Sequence, residues 1–133
     1  MDEEIAIRAE AIPADVLAWT DGAALVGTGS PFAPVDVAGR TVPIAQVNNV
    51  YVFPGVGLGV VAVKARAVSD EMLTAAATEI GRLAAENADG AILPSVTESR
   101  RVARRVAAAV ARTAVRQGLA TPMTDDEITT RID

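Results

Sequence analysis

The chain has 133 residues, of which half are apolar and only 3% are aromatic, and its formal net charge is −5. This size fits one ordinary domain with a single hydrophobic core. The acidic balance argues against nucleic acid as a partner, because binding to a phosphate backbone needs a basic surface. With no Cys and no His, the sequence excludes disulfides, thiol nucleophiles, imidazole bases and Cys/His zinc sites, so only carboxylates remain as metal ligands.

The sequence carries no pattern typical of export or membrane insertion. Residues 1–4 are acidic, whereas a secretory signal begins with basic residues. The longest apolar run, residues 50–63, is shorter than the about 20 residues that a membrane helix needs, and proline and glycine interrupt it. We therefore expect a buried helix or strand in this run, no membrane role and a cytoplasmic location.

The first part of the chain predicts a short helix and a strand. Residues 12–19 favour a helix, because a proline is tolerated in its first turn, and Asp21-Gly22 ends it. Residues 23–28 are apolar around Leu25, which predicts a buried parallel strand. This strand ends at Gly29-Ser30, and ligands of open α/β sheets bind at that end of a strand.

A hairpin is predicted next. Two short strands, residues 35–37 and 41–44, flank residues 38–40, where Gly39 supplies the turn dihedral. Pro43 confines its strand to a sheet edge, since proline has no N–H to donate. The hairpin and the parallel strand together favour the α/β class.

Two helices follow the hairpin. The first runs from about Pro54 to Arg66, and we expect its glycines to pack closely against a neighbour, which offsets their low helix propensity. Ser69 caps the second, which ends near Asp89-Gly90. Its predicted apolar face consists of Leu73, Ala76, Ala77, Ile80, Leu83 and Ala84.

The last predicted helix is rich in alanine and arginine and ends at Gly118. Ser95 and Glu98 have the spacing of a capping box, in which the serine oxygen bonds the N3 amide and the glutamate reaches back to the cap amide. A stripe of Val and Ala predicts that the helix packs by one face. Its arginines indicate a solvated flank rather than a phosphate site, since stacking aromatics are absent; they are Arg100, Arg101, Arg104, Arg105, Arg112 and Arg116.

Candidate catalytic side chains are few. Lys64 is the only lysine and Tyr51 the only tyrosine. A cation late in a helix interacts favourably with the helix dipole, and packing explains a tyrosine in an apolar run. Neither residues 27–32 nor residues 55–59 complete a dinucleotide fingerprint. Both side chains thus have a structural explanation, and neither glycine-containing block is predicted to be a phosphate-binding loop.

Two blocks of the sequence resemble malic enzyme. Residues 27–32 are Gly-Thr-Gly-Ser-Pro-Phe, and residues 46–55 are Gln-Val-Asn-Asn-Val-Tyr-Val-Phe-Pro-Gly. Their order and separation are those of the C-terminal part of that family's NAD(P)-binding domain. The resemblance implies that residues 1–120 form this part of a Rossmann-type α/β domain, with a short parallel strand, a hairpin and several packed helices, and that residues 121–133 are a C-terminal tail.

The resemblance also implies which residues face ligands. In malic enzymes an Asn of this motif contacts the substrate and lies close to the nicotinamide, and Asn48 and Asn49 both match it. An Asn pair by itself is typical of turns and helix starts, but with both flanking blocks present a substrate- and cofactor-facing role is favoured. Thr28, Gly29 and Ser30 are implied to lie near the nicotinamide.

Malic enzymes convert malate to pyruvate by oxidative decarboxylation with NAD or NADP and with Mg or Mn. The resemblance implies that the family's catalytic Tyr and Lys, its metal ligands and its main dinucleotide fingerprint precede the matched part. We therefore expect a fragment or subunit that is inactive alone and that forms a homo-oligomer or binds a complementing chain. The choice between NAD and NADP stays open, because the discriminating ribose contact follows an upstream strand.

Two alternatives also stay open at this point. The first is a non-catalytic truncated domain that acts as an oligomerising or ligand-binding module. The second is a small regulatory dimer that binds its ligand without turnover.

Overall fold

The computed structural model describes residues 10–86 and 91–133. The chain divides into two compact units, residues 1–48 with 87–93 and residues 49–86 with 94–133. Helices and a parallel strand pair occur together, so the predicted α/β class is confirmed. The described elements in chain order are α1 (Pro13–Trp19), β1 (Gly27–Thr28), β2 (Val35–Val37), β3 (Arg40–Val42), β4 (Ala45–Gln46), a 3₁₀ turn (Asn49–Tyr51), α2 (Phe53–Val63), α3 (Asp70–Ala84), a second 3₁₀ turn (Val96–Glu98), α4 (Ser99–Arg116) and α5 (Asp125–Ile132).

The first unit begins with α1, which forms as predicted. Pro13 occupies its first turn, and Leu17 is fully buried. The helix ends where Asp21 and Gly22 adopt φ values of 50° and 76°. The Gly22 N–H then donates to the Leu17 carbonyl over 2.7 Å, which satisfies one of the last free carbonyls of the helix.

The strands β1 and β4 pair in parallel, with Gly27 opposite Ala45 and Thr28 opposite Gln46. The predicted parallel direction is therefore confirmed. The predicted burial is wrong, because Leu25 is 81% exposed. Residues 23–28 alternate between exposed and half-buried positions, so only one side of this segment is partly covered.

The strands β2 and β3 form the predicted hairpin. Asp36 lies opposite Thr41, whose hydroxyl donates to the Asp36 carboxylate over 2.6 Å. The turn is tighter than predicted, because Arg40 already belongs to β3. Ala38 and Gly39 occupy its two central positions with φ values of 50° and 76°, the signs that a type I′ hairpin turn requires.

The second unit is built on the contact between α2 and α4. A Cβ on Gly55 would lie 2.6 Å from the Val106 side chain, and one on Gly59 would lie 2.6 Å from the Ala107 carbonyl oxygen. At these two glycines the predicted close packing is confirmed. It is wrong at Gly57, which faces open space.

The helix α3 has the predicted cap but a shifted buried face. Ser69 Oγ accepts from the Met72 N–H over 3.2 Å. Met72 is fully buried, whereas the predicted core residue Leu73 is 44% exposed, because packing selects the neighbouring position. The helix ends at Ala84, with Ala85 as its C-cap, so the predicted end near Asp89-Gly90, which lies outside the described residues, is too late. The buried side chains of α3 are Met72, Ala76, Glu79, Ile80 and Leu83.

The helix α4 packs by the predicted stripe and ends just before Gly118, which adopts φ 68°. Its predicted capping box is wrong. Ser95 Oγ accepts from the Thr97 N–H, and the Glu98 carboxylate accepts from Arg101 over 2.8 Å. The cause is the 3₁₀ turn that precedes α4, which places the serine one turn before the helix. The buried residues of α4 are Val102, Val106, Ala107, Val110, Ala111, Thr113 and Ala114.

The segment after residue 120 contains α5, within the second unit. A capping box begins this helix: Thr124 Oγ1 accepts from the Glu127 N–H, and the Glu127 carboxylate accepts from the Thr124 N–H over 2.7 Å. Ile128 and Ile132 are buried. The predicted boundary between a domain and a tail at residue 120 stays a prediction.

Candidate functional site

The ends of β1 and β4 form the candidate site in the first unit. Because the two strands are parallel, their carboxyl ends lie at one edge. The Val47 N–H donates to the Thr28 carbonyl over 2.8 Å, which extends the pairing by one bond. Gly29-Ser30 therefore follows one strand and Asn48 follows the other at the same edge, where α/β sheets bind ligands.

The loop after β1 is held by its own hydrogen bond. Thr28 Oγ1 donates to the Ser30 carbonyl over 2.7 Å. This bond fixes the loop around Gly29, which is exposed. Among the described residues other than its chain neighbours, no heavy atom lies within 4 Å of where a Cβ on Gly29 would stand, so the backbone there has room for a ligand.

The Asn pair lies where the first unit meets the second along the chain. Asn48 is the last residue of the first continuous segment, and Asn49 begins the 3₁₀ turn of the second unit. Both side chains are exposed. The structure thus brings Thr28, Gly29, Ser30 and Asn48 to one strand edge, and it places Asn49 in the turn that begins the other unit.

Tyr51 anchors the turn that contains Asn49. The tyrosine is 3% exposed, and its hydroxyl donates to the Pro94 carbonyl over 2.7 Å. Burial raises the pKa of the hydroxyl, because the charged phenolate loses solvation. The predicted packing role of Tyr51 is correct but incomplete. The hydrogen bond joins residues 43 positions apart, so no local spacing in the sequence indicates it.

Lys64 lies at the C-terminal end of α2. It is exposed and adopts φ 52°, and its N–H donates to the Val61 carbonyl. Within residues 10–86 and 91–133, no three His, Cys, Asp or Glu side chains cluster where they could hold a metal ion. In the same part of the chain, no helix is long and apolar enough to cross a membrane.

Comparison with known proteins identifies malic enzymes as relatives of this chain. The family model described as malic enzyme, NAD binding domain, matches residues 6–115. The NAD-dependent malic enzyme of Vibrio parahaemolyticus is 49% identical over 128 residues, which cover 95% of this chain and 23% of the relative. The NAD-dependent malic enzyme of Aliivibrio salmonicida is 48% identical over the same length, with the same coverage.

A solved structure shares the fold. The crystal structure of malic enzyme from Pyrococcus horikoshii matches with a TM-score of 0.71 and 30% sequence identity, covering 93% of this chain and 26% of that chain. This likeness supports the Rossmann-type assignment. The chain spans about a quarter of the length of the relatives that it matches.

Proposed function

Because the chain belongs to the malic enzyme NAD-binding domain family, we propose that it supplies the substrate- and nicotinamide-facing edge of an NAD-dependent enzyme that converts malate to pyruvate. One observation carries this proposal: parallel β1 and β4 end at one edge, with Gly29-Ser30 after one strand and Asn48 after the other. NAD rather than NADP is proposed because the similar Vibrio and Aliivibrio proteins are named NAD-dependent.

The amide side chains of the Asn pair suit a small hydroxy acid beside a nicotinamide. An Asn amide donates N–H bonds to a carboxylate and accepts from a carboxamide. Asn48 and Asn49 are both exposed. When bound, the nicotinamide supplies the acceptor for the hydride that leaves malate. The proposed role of the two amides is to orient malate so that its C–H faces the ring.

The chain by itself is proposed to be inactive. Tyr51 is buried and donates to the Pro94 carbonyl, so it is not placed as a proton donor to a ligand. Lys64 is exposed at the C-terminal end of α2. The acid, base and metal ligands would come from other protein segments, and we expect no malate oxidation by the isolated chain with NAD and manganese.

A chimera tests the proposal. The matching segment of the Vibrio parahaemolyticus malic enzyme is replaced by this chain, and Asn48→Ala and Asn49→Ala are introduced singly. Losing a hydrogen bond to a charged carboxylate costs about 1.5–3 kcal/mol, so we expect kcat/KM for malate to fall roughly tenfold to a hundredfold for the residue that faces the ligand. The other substitution is expected to lower stability by about 1 kcal/mol with little kinetic effect.

The control is Thr41→Ala, which removes an exposed hydroxyl from the hairpin of the same unit. It should leave kcat/KM within about twofold of the parent, as surface substitutions usually have small effects. If both Asn variants of an active chimera keep parental kinetics while their melting temperatures fall, the pair is structural and the site assignment is wrong.

A second candidate is an oligomerising module without catalysis. It is favoured by the outer face of α2, where Phe53 is 64% exposed and Val61 is 73% exposed, with Gly57 open between them. These positions are spaced by four residues and lie on one helix face. An exposed apolar face of this kind is typical of a protein contact. Sedimentation of a stable monomer at all concentrations would rule this candidate out.

A further inference from the structure

Five arginines line a groove in the second unit, on the side of α3 and α4 that reaches α5. The groove contains a cavity of about 440 Å³ and an adjoining one of about 410 Å³, which share Glu79, Arg82, Ala109 and Arg112. We call this feature the arginine groove, and its arginines are Arg82, Arg104, Arg105, Arg112 and Arg116.

A buried carboxylate organises the groove. The Glu79 side chain is only 8% exposed, and it accepts from Arg105 Nε over 2.7 Å and pairs with Arg105 Nη2 at 2.6 Å. Arg82 Nη1 lies 3.5 Å from the other carboxylate oxygen. One carboxylate thus fixes two guanidinium groups from different helices. Each guanidinium has five N–H donors, so Arg82 and Arg105 keep N–H groups beyond those that contact Glu79.

The groove keeps a positive charge in an acidic protein. Its five arginines face three lining carboxylates, those of Glu71, Glu79 and Asp133. Asp125 pairs with Arg112 over 3.1 Å without lining the groove. Among side chains, the five arginines exceed the four carboxylates even when Asp125 is counted, whereas the whole chain has a net charge of −5. A local excess of this sign attracts anions.

The spacing of the arginines indicates the shape of the anion. Arg105 and Arg112 are seven residues apart on α4, which is about 10 Å along the helix axis, and Arg116 lies about 6 Å further. Alanines at 108 and 109 form part of the lining and leave space between the guanidinium groups. A linear ligand with several negative groups matches this row better than a single small ion.

We propose that the arginine groove binds a linear oligophosphate, either as such or as the phosphate chain of a nucleotide. Guanidinium groups bind phosphate oxygens through paired N–H bonds. Cavities of this volume are in the range that holds small-molecule ligands. The inference goes beyond the proposed function, because its residues lie on α3, α4 and α5 and include none of the proposed malate or NAD contacts.

Calorimetric titration with inorganic tripolyphosphate tests the proposal on the full chain. The test variant is Arg112→Gln combined with Arg116→Gln. Both substituted side chains are exposed, and the variant keeps Arg82 and Arg105, the partners of Glu79. The matched control is Arg100→Gln, an exposed arginine of the same helix that does not line the groove. We expect the double variant to bind tripolyphosphate at least tenfold more weakly than the parent and the control to bind it within twofold of the parent. Added salt is expected to weaken tripolyphosphate binding by the parent.

Melting curves of every variant verify that the fold is retained, and Arg116→Gln alone replaces the double variant if the loss of the Arg112–Asp125 pair unfolds α5. Titration with ATP distinguishes the two sources of the phosphate chain. Equal affinity for ATP and tripolyphosphate identifies the phosphate chain as the whole ligand, and tighter ATP binding that the double variant loses identifies a nucleotide.

Three results would overturn the proposal. The first is no binding of either phosphate compound at low salt. The second is equal affinity in the double variant and the Arg100→Gln control. The third is binding of polyglutamate without binding of tripolyphosphate, which would instead identify an acidic protein partner.

Discussion

The α2–α4 contact and the β1–β4 pair differ in how much structure supports them. In the helix contact, Gly55 and Gly59 let two backbones approach, and Val106 and Val110 are fully buried. In the strand pair, only two residues of each strand are matched, and the flanking Leu25 is 81% exposed. Buried packing is therefore denser in the helix contact than around the strand pair. The groups proposed to face ligands follow short strands, as is usual for binding loops that a scaffold positions.

The largest expected effect tests the close packing of the α2–α4 contact. Gly59→Ala would place a Cβ 2.6 Å from the Ala107 carbonyl oxygen, and backbone atoms yield little. Overpacking of this kind costs about 1–3 kcal/mol of unfolding free energy. Gly57→Ala is the matched control, since it has open space and gains helix propensity of about 0.5–1 kcal/mol. Urea unfolding measures both variants.

The two glycine variants should therefore move stability in opposite directions. If Gly59→Ala were as stable as Gly57→Ala, the α2–α4 contact would be looser than its geometry indicates. The inferred difference in packing density between the α2–α4 contact and the β1–β4 pair would then be wrong.

Tyr51→Phe tests how much the buried tyrosine hydroxyl stabilises the turn that contains Asn49. The substitution removes the donor to the buried Pro94 carbonyl and is expected to lower the unfolding free energy by about 1 kcal/mol at neutral pH. The raised pKa of Tyr51 means that its contribution is present below the unfolded-state pKa and is lost as pH rises through the folded-state value. The parent should therefore lose stability in alkali by a component that the variant lacks.

Tyrosine absorbance measures this directly, because Tyr51 is the only tyrosine in the sequence. Its ionisation in the folded protein should occur above the ordinary tyrosine pKa of about 10. Ionisation at the ordinary value, with equal alkaline stability in parent and variant, would show that the turn is not anchored by a buried hydroxyl.

The smallest expected effect concerns the capping box of α5. The Thr124 N–H bond holds the pKa of the Glu127 carboxyl below its ordinary value. A lowered folded-state pKa gives stability that is present above the unfolded-state pKa and lost as pH falls through the folded-state value. Glu127→Gln should therefore lower the melting temperature slightly at neutral pH and not at acidic pH. Asp126→Asn removes a neighbouring first-turn charge and provides the reference for the helix-dipole effect.

Local signals account for the parts of the fold that the sequence predicts. Pro13 and Gly22 delimit α1, Gly39 identifies the hairpin, and Ser69 caps α3. Burial is less predictable, because it depends on tertiary neighbours. Leu25 and Leu73 are apolar and lie in regular elements, but each faces away from the core of its unit.

The candidate site and the arginine groove also depend on features that local sequence patterns do not indicate. Asn48 and Asn49 are recognised only through their resemblance to a family motif, because an Asn pair alone is typical of a turn. The arginines of α4 predict a solvated flank when considered within one helix. Their convergence depends on Glu79, a residue of a different helix that no spacing along α4 indicates.

Lys64 has a consequence for labelling chemistry. It is the only lysine, no cysteine is present, and its side chain is exposed at the end of α2. Apart from the terminal amine, an acylating dye therefore has one attachment point in the chain. A fluorophore at that point would report, by energy transfer between differently labelled copies, whether the protein assembles with itself.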